Sequence, residues 1–215
     1  MDNTLLEKIT GLGGALARSP SMLGSYVRYL PLWRRMPIDV ALPWISFGAL
    51  KFLDGFVQSN HEVFEYGGGG STLYFARRAK SVLTMESDPA WHARLTATLA
   101  AKGATNAVCE LHPISSDELE KFRDDAFFHR IRAQKWDVIL VDCYCGYSRT
   151  RYGLIRPFAL DLAFEQLKPG GVIVLDDSWM FPELLVPREG WRVTDYIGPG
   201  PCRYGVTSTA IFEQR

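Results

Sequence analysis

Four consecutive glycines beside an acidic residue are the feature of this sequence that most clearly indicates chemistry. They occur in the segment Glu65-Tyr66-Gly67-Gly68-Gly69-Gly70-Ser71, directly after a short apolar run. Glycine has no Cβ, so a ligand can approach the backbone closely at such a turn. Gly-rich turns between a strand and a helix also occur only to reverse the chain tightly. The run by itself therefore identifies no ligand.

Acidic residues also stand at the ends of the later apolar runs. Glu86, Asp142 and Asp176 each end a predicted strand, and Asp177 follows the last of them. In an open parallel sheet, ligands bind beyond the carboxyl ends of the strands. We therefore expect these carboxylates to meet Glu65 at one edge of the sheet.

This set of carboxylates argues against a phosphate-containing ligand. A mononucleotide P-loop requires a Gly-Lys-Ser/Thr step, and no lysine lies between Glu62 and Arg77. The dinucleotide fingerprint requires a third glycine for close helix packing. Counted from the first or second glycine of the run, that position is Thr72 or Leu73. A cationic ligand is electrostatically the better partner for these acids.

The elements around these residues alternate between strand and helix from about residue 61 almost to the end of the chain. Strands are predicted over residues 62–66, 81–86, 106–111, 136–142 and 172–176, and helices over 71–79, 89–102, 115–132 and 154–167. The continuous apolar run at 136–142 is typical of a parallel strand covered on both faces. Residues 168–171 are predicted to form a turn, and 191–197 with 206–212 an antiparallel hairpin. The pattern predicts a doubly wound, Rossmann-like α/β sheet that is mostly parallel and ends in an antiparallel hairpin strand.

Residues 1–60 differ in character and are predicted to form an N-terminal helical cap or arm, with 61–215 as the ligand-binding domain. Prolines at positions 20, 31, 37 and 43 interrupt the helices. No apolar run is long enough to span a membrane, and the N-terminus lacks the pattern of a signal peptide. Residues 22–35 combine aromatic side chains with Arg34-Arg35. They are compatible with a membrane surface, although a helical lid or packing arm is the favoured interpretation.

Composition narrows the partners. The 215 residues suit one α/β domain, and the 24 Lys plus Arg balance the 24 Asp plus Glu. Without a basic excess to bind a phosphate backbone, nucleic acid is predicted not to be a partner. The four cysteines show no zinc-site spacing and are predicted to be reduced thiols of a cytoplasmic protein. The hairpin edge and the N-terminal arm both offer surfaces for a homodimer.

Taken in order, the motifs resemble those of the class I S-adenosylmethionine (SAM)-dependent methyltransferases. The segment 65–71 resembles motif I of that family, and Glu86 resembles the acid that binds the ribose hydroxyls. Asp142 matches the acidic position of motif IV, and Leu167-Lys168-Pro169-Gly170-Gly171 resembles the turn before the fifth strand. The resemblance covers about residues 61–213. It implies the seven-stranded methyltransferase fold, SAM as the cofactor, and a small-molecule acceptor that is methylated at oxygen or nitrogen.

The same resemblance assigns roles to individual residues. Glu65 would organise the methionine amino group, and Glu86 would accept hydrogen bonds from the ribose diol. Ser71 and Thr72, at a helix N-terminus, would present hydroxyls or amides to the carboxylate of SAM. Ser115 or Ser116 would contact the adenine. The predicted cofactor-binding residues are Glu65, Tyr66, Gly67, Gly68, Gly69, Ser71, Thr72, Glu86, Ser87, Ser115 and Asp142.

Asp142 is also the predicted catalytic residue. Methyl transfer is a direct displacement in which alignment supplies much of the acceleration, but a neutral hydroxyl acceptor must still lose its proton. Asp142 would accept that proton beside the methyl group. In catechol-type O-methyltransferases, an acid after the fourth strand and an Asp-Asn pair after the fifth bind Mg²⁺. Asp142, Asp176 and Asp177 therefore define an alternative Mg²⁺ site, although the last of them departs from the Asn of that pattern.

The acceptor and the reaction class leave alternatives open. Arg149, Arg151 and Tyr152 would suit an anionic or sugar-like acceptor, or form a solvated loop. Aromatic side chains of the N-terminal region would instead cover an apolar acceptor: Tyr26, Tyr29, Trp33 and Trp44. An NAD-linked oxidoreductase on a related sheet and a non-catalytic SAM-fold binding or assembly protein are the two competing functions.

Overall fold

The computed structural model describes residues 5–18, 20–114, 121–143, 155–186, 188–203 and 205–215. The strands are β1 (Glu62–Tyr66), β2 (Ser81–Glu86), β3 (Ala107–Leu111), β4 (Trp136–Val141), β5 (Leu167–Asp176), β6 (Trp191–Pro199) and β7 (Val206–Gln214). The α-helices are α1 (Leu5–Arg18), α2 (Met22–Tyr29), α3 (Pro37–Val40), α4 (Phe47–Phe56), α5 (Gly70–Ala76), α6 (Pro89–Ala101), α7 (Ala126–His129) and α8 (Ile155–Gln166).

The strands form one mixed sheet in the order β3-β2-β1-β4-β5-β7-β6. β1 pairs in parallel with β2 on one side and with β4 on the other, so the strand order reverses at β1. β7 lies between β5 and β6 and is antiparallel to both. The predicted Rossmann-like sheet with a C-terminal antiparallel hairpin is confirmed. A ligand is expected at the reversal, where the crossovers leave on opposite faces and open a crevice.

Alternation of side chains along β1 divides the core into two layers. Phe64 and Tyr66 pack on one face of the sheet, together with Phe127 of α7 and Leu160 of α8. Val63 packs on the opposite face, in a cluster that α4 and α5 help to build. β1 is therefore buried on both sides, which fixes the position of the glycine turn that follows it.

The N-terminal helices hold the start of α5 through a contact that only glycine allows. A Cβ on Gly70 would lie 2.0 Å from the carbonyl oxygen of Leu42 and 2.6 Å from the backbone of Pro37. α3 thus packs directly against the glycine turn. Pro37 begins α3, so the predicted helix break at that residue is present. The domain boundary at residue 60 stays a prediction.

Two predicted elements differ in the structure. The helix expected over 115–132 is not continuous in its described part, where α7 is flanked by 3-10 turns at Lys121–Asp124 and Arg130–Ala133. Asp125, with φ −65° and ψ 138°, is extended and interrupts it. The predicted turn at 168–171 belongs instead to β5, whose pairing with β4 shifts register between Trp136 and Val138. In the described ranges, no helix combines the length and apolarity needed to cross a membrane.

Candidate active site

A cavity of about 850 Å³ opens at the carboxyl ends of the central strands. Gly67 and Gly68 lie between its two ends, because β2 and β4 flank β1. Glu86 and the start of α6 line the β2 end, whereas Asp142 and the residues after β5 line the opposite end. The lining residues are Trp44, Gly67, Gly68, Glu86, Ser87, Asp88, Pro89, Ala90, Trp91, Arg94, Asp142, Arg156, Asp176, Asp177 and Arg203.

A side chain on Gly67 would meet backbone atoms, and one on Gly68 would meet neighbouring side chains. Gly67 has a φ of 87°, in the left-handed region that favours glycine, and its Cβ would lie 2.6 Å from the carbonyl oxygen of Asp142. A Cβ on Gly68 would lie 2.6 Å from side-chain atoms of Leu95 and Thr84. The turn thus passes tightly over β2 and β4 with no side chain between it and the cavity.

The Glu86 carboxylate is held in place by three backbone amides. Oε1 accepts hydrogen bonds from the amides of Ser87, at 2.7 Å, and Asp88, at 2.9 Å, and Oε2 accepts one from Gly68 at 3.2 Å. Trp91, which the sequence analysis did not select, donates its indole N–H to the Gly68 carbonyl at 2.6 Å. Glu86 and Trp91 therefore both bind the backbone of the glycine turn, and both line the cavity.

Glu65 lies fully buried behind this turn and does not line the cavity. Its Oε2 accepts a hydrogen bond from the Thr84 hydroxyl at 2.7 Å, whereas its Oε1 has no hydrogen-bond partner among the described residues. Burial raises the pKa of Glu65 to about 7, against the opposing effect of the nearby hydroxyls of Ser71, Thr84 and Thr72. A buried carboxyl oxygen without a partner is costly, and a cationic or donor group would relieve that cost.

The other predicted cofactor residues have different surroundings. The Tyr66 side chain points into the core, where its hydroxyl donates to the Phe128 carbonyl at 2.7 Å. Thr72 accepts a hydrogen bond from the Gly69 amide at 3.1 Å and closes the helix N-terminus. Ser71 is buried beside them at the start of α5. Ser115 and Ser116 lie outside the described residues.

Arg156 also lines the cavity and was not selected from the sequence. It is buried near the start of α8 and donates to the carbonyl oxygens of Cys143 and Asp176, both at 2.7 Å. It also donates to Oδ1 of Asp142 at 3.1 Å, and its Nη1 lies 3.9 Å from Asp177. One guanidinium thus joins the ends of β4 and β5. An arginine beside Ile155 at a predicted helix start was the only available signal.

The three aspartates at this end of the cavity differ in their surroundings. Burial raises the pKa of Asp142 to about 6, with Arg156 opposing the rise and Asp177 adding to it. Asp176 is more deeply buried and accepts a hydrogen bond from the Thr209 hydroxyl at 2.8 Å, and burial raises its pKa well above the ordinary value. Asp177 accepts from the Thr207 hydroxyl at 2.9 Å and lies 3.6 Å from Arg203.

These residues do not fit the alternative Mg²⁺ site. Asp142 and Asp177 both lie against the guanidinium of Arg156, and Arg203 adds a second positive charge. Asp176 turns its carboxyl oxygen to Thr209. Within the described ranges, no three His, Cys, Asp or Glu residues are grouped so as to hold a metal ion. The cations that balance these acids are arginines of the chain itself.

The aromatic residues proposed to cover an acceptor separate in the structure. Trp44 lines the cavity, with the Arg203 guanidinium 5.0 Å from its ring centroid. Tyr29 instead stacks on Phe47 at 5.2 Å. Tyr26 packs against the core, and Trp33 is exposed. Arg149, Arg151 and Tyr152 lie outside the described residues.

Comparisons with known proteins identify relatives by structure only. No family model matches the chain, and no curated protein matches its sequence. A protein of Klebsiella pneumoniae, provisionally assigned as an O-methyltransferase, aligns with a TM-score of 0.64 at 16% identity, over 95% of this chain and 99% of that one. The O-methyltransferase of Bacillus cereus, crystallised with S-adenosylhomocysteine (SAH), aligns with a TM-score of 0.59 at 17% identity, over 96% and 99%. An rRNA methylase of Streptococcus thermophilus aligns with a TM-score of 0.56 at 11% identity, over 78% and 94%. The chain has the fold of these methyltransferases.

Proposed function

We propose that the chain is a SAM-dependent methyltransferase that acts on a small molecule. The observation that carries this proposal is the fixed carboxylate of Glu86 beside a turn that admits no side chain. A carboxylate has about four acceptor sites, and with three of them held by backbone amides the remaining one, on Oε2, is fixed in place to accept a hydrogen bond from a hydroxyl such as a ribose presents. The B. cereus protein of the same fold was crystallised with SAH.

The rest of the cavity can then be assigned to the other parts of SAM. With the ribose at Glu86, residues 87–91 would hold the base, and Gly67 and Asp142 would flank the methionine part. Because the carboxyl group of Glu65 is buried behind the turn, it would hold the ammonium group through water.

Charge favours SAM over a nicotinamide dinucleotide. The carboxyl groups around the turn belong to Glu65, Glu86 and Asp142, and burial already raises the pKa of Glu65 and of Asp142. A pyrophosphate placed here would raise both further, whereas an ammonium and a sulfonium lower them. The absence of a third motif glycine at Thr72 or Leu73 weighs in the same direction.

When bound, SAM supplies an electrophilic methyl group, and the chain's own residues position the acceptor and take its proton. Asp142 lines the cavity with a pKa raised to about 6. It is therefore mostly ionised at neutral pH yet basic enough to accept a hydroxyl proton. Arg156 fixes its Oδ1 and carries the balancing positive charge without a metal ion. Asp142 is the proposed base and Arg156 its positioning residue.

Oxygen is the favoured acceptor atom, because two of the structural neighbours are described as O-methyltransferases. RNA is the second candidate acceptor, since one neighbour is described as an rRNA methylase. The formal net charge of zero argues against RNA, because such binding draws on a basic excess. A methyl-transfer assay on both classes of acceptor separates them.

Calorimetric titration tests the cofactor first. We expect SAM and SAH to bind and NAD not to bind. Glu86→Gln should weaken SAM binding by one to two orders of magnitude, roughly 1.4–2.8 kcal/mol. Glu110→Gln, on the neighbouring strand outside the cavity, is the matched control and should leave the affinity unchanged. Binding of NAD without SAM would overturn the proposal.

Transfer itself needs a second assay, because a non-catalytic SAM-binding protein would pass the first. Incorporation of radiolabelled methyl into small phenols, amines and carboxylic acids, and in parallel into RNA, measures it. Asp142→Asn serves as the inactive reference. SAM binding without transfer to any class of acceptor would favour the binding or assembly alternative.

A further inference from the structure

Helix α2 is apolar on two sides but is packed on only one. On its packed side, Tyr29 stacks on Phe47, and Met22 approaches Gly198 of β6. Its other side carries Leu23, Val27 and then Leu30, which are 51%, 58% and 42% exposed. The spacing of four and then three residues places these side chains in one stripe along the helix.

Two more exposed apolar side chains lie in the segment that follows the helix. Trp33 and Met36 are 43% and 39% exposed. We name the five residues Leu23, Val27, Leu30, Trp33 and Met36 the α2 surface. They are five of the ten large hydrophobic residues that are exposed in the described part of the chain, and they fall within 14 consecutive positions. Such a concentration marks an interaction surface rather than scattered exposure.

The charged residues within this segment are all basic. From Leu23 to Met36 they are Arg28, Arg34 and Arg35, and all three are exposed. The next acid along the chain, Asp39, pairs with Arg94 at 2.9 Å. The chain as a whole has a formal net charge of zero. The α2 surface therefore carries three positive charges in a chain without a net basic excess.

The α2 surface is attached firmly to the fold. Besides the stacking of Tyr29 on Phe47, α3 begins directly after Met36 and packs against Gly70 of α5. Asp39 of α3 forms an ion pair with Arg94 at 2.9 Å. The exposed stripe thus lies on a segment that is held at both ends.

We propose that the α2 surface binds peripherally to an anionic lipid bilayer, an activity beyond the proposed methyl transfer. Large apolar side chains and tryptophan enter the interfacial region, while arginines pair with lipid phosphates. Arg34 lies 4.5 Å from the centroid of the Trp33 ring, so both groups reach the same depth of the interface. The segment is a lipid-facing surface of the kind that lies on a membrane and does not cross it.

A second copy of the chain suits this surface less well. A two-fold interface places the same patch of both protomers together. The arginines of one α2 segment would then face those of the other, and the adjacent acid Asp39 is already paired with Arg94. Anionic lipid supplies the complementary charge that a second α2 segment lacks.

Vesicle sedimentation with the full chain tests the proposal. We expect binding to phosphatidylcholine vesicles that contain roughly one-third phosphatidylserine, little binding to phosphatidylcholine alone, and release by high salt. Arg34→Gln/Arg35→Gln should lower the partition coefficient by roughly 30-fold, because each basic residue at an anionic surface contributes about fivefold. Leu23→Ser/Val27→Ser should also lower it at least tenfold, since both side chains leave the bilayer.

Val108→Ser is the matched control, because Val108 is 54% exposed on β3, outside the segment. It should leave the partition coefficient unchanged, and circular dichroism checks that all variants fold. Absence of wild-type binding to the anionic vesicles would overturn the proposal, as would an equal loss in Val108→Ser. A dimer in sedimentation equilibrium that Leu23→Ser/Val27→Ser dissociates, without vesicle binding, would assign the surface to a second copy instead.

Discussion

We predict that the buried carboxyl group of Glu65 makes SAM affinity depend on pH. Burial raises its pKa to about 7, so the ligand-free protein holds about half a proton on this group at neutral pH. The ammonium of SAM favours the ionised form, because an opposite charge lowers the pKa of a carboxyl group. Binding must therefore release the proton, and lower pH must weaken it.

The size of the effect follows from the ionised fraction. With a pKa of about 7, roughly three quarters of Glu65 is ionised at pH 7.5, but only about one eleventh at pH 6. The affinity for SAM should therefore fall about eightfold between these values, a loss of roughly 1.2 kcal/mol. Asp142, whose pKa is about 6, adds to the dependence near the lower limit.

Titration calorimetry in two buffers of different ionisation enthalpy measures both affinity and proton release. At pH 7 the wild type should release about half a proton for each SAM bound, on account of Glu65. Glu65→Gln should remove this release and the eightfold dependence, leaving only the smaller part due to Asp142. Glu110→Gln should keep both. If Glu65→Gln retained the wild-type pH dependence, the contact between Glu65 and the cofactor would be refuted.

The same group should affect the stability of the ligand-free protein. Folding raises the pKa of Glu65 from 4.5 to about 7. Between these pH values the folded protein therefore binds a proton on Glu65 that the unfolded chain does not. The resulting stability is fully present below pH 4.5 and is lost as pH rises through 7, up to roughly 3 kcal/mol. The thermal midpoint without SAM should therefore fall between pH 5 and 8, less steeply in Glu65→Gln. A midpoint that rises over this range would contradict the assignment.

Three further predictions concern the glycine turn, Arg156 and Asp142. Gly70→Ala, whose Cβ would meet the Leu42 carbonyl at 2.0 Å, should lower the free energy of unfolding in urea by about 3 kcal/mol. Gly69→Ala, whose nearest contact is 3.5 Å, should change it by less than about 0.5 kcal/mol, and equal effects would refute the packing argument. Methyl transfer should be unaffected by EDTA, and activation by Mg²⁺ would contradict a site whose acids are balanced by arginine. Arg156→Met should lower turnover about 100-fold, while Arg156→Lys should retain part of the activity. Asp142→Asn should lower turnover by about 100-fold and SAM affinity by a much smaller factor, because Asp142 contributes only the smaller part of the pH-dependent affinity. A larger change in affinity than in turnover would show that binding is its main role.

Local sequence patterns were sufficient for the elements that carry the turn. The strands at 62–66 and 81–86 have the predicted bounds, because each is a short apolar run that ends abruptly at a glycine or at Ser87-Asp88. The prediction of one helix over 115–132 was wrong for the described residues from 121 onwards, since the extended backbone of Asp125 interrupts it. The Ser-x-x-Glu pattern at 115–118 indicates where a helix could begin, but it does not predict where the helix ends, because tertiary packing determines that end.

Some residues of the candidate site could also be predicted from local patterns, and others could not. Glu86 and Asp142 were predicted to lie at one edge of the sheet, and both line the cavity, because parallel strands expose their carboxyl ends together. Trp91, Arg156 and Arg203 were not selected, since no short-range spacing relates them to the strand ends. Their places follow from how α6, α8 and the β6-β7 hairpin pack on the sheet.

The succession of strands and helices, the turn that needs glycine and the acids around it could be predicted from neighbouring residues and from the alternation of strand and helix. What balances those acids could not, because it depends on contacts between segments that are distant in the chain. Of the three aspartates that resembled an Mg²⁺ site, Asp142 and Asp177 meet arginines from α8 and from the hairpin loop, and Asp176 meets Thr209. Whether a carboxylate faces a metal, an arginine or a threonine depends on which distant segment packs against it.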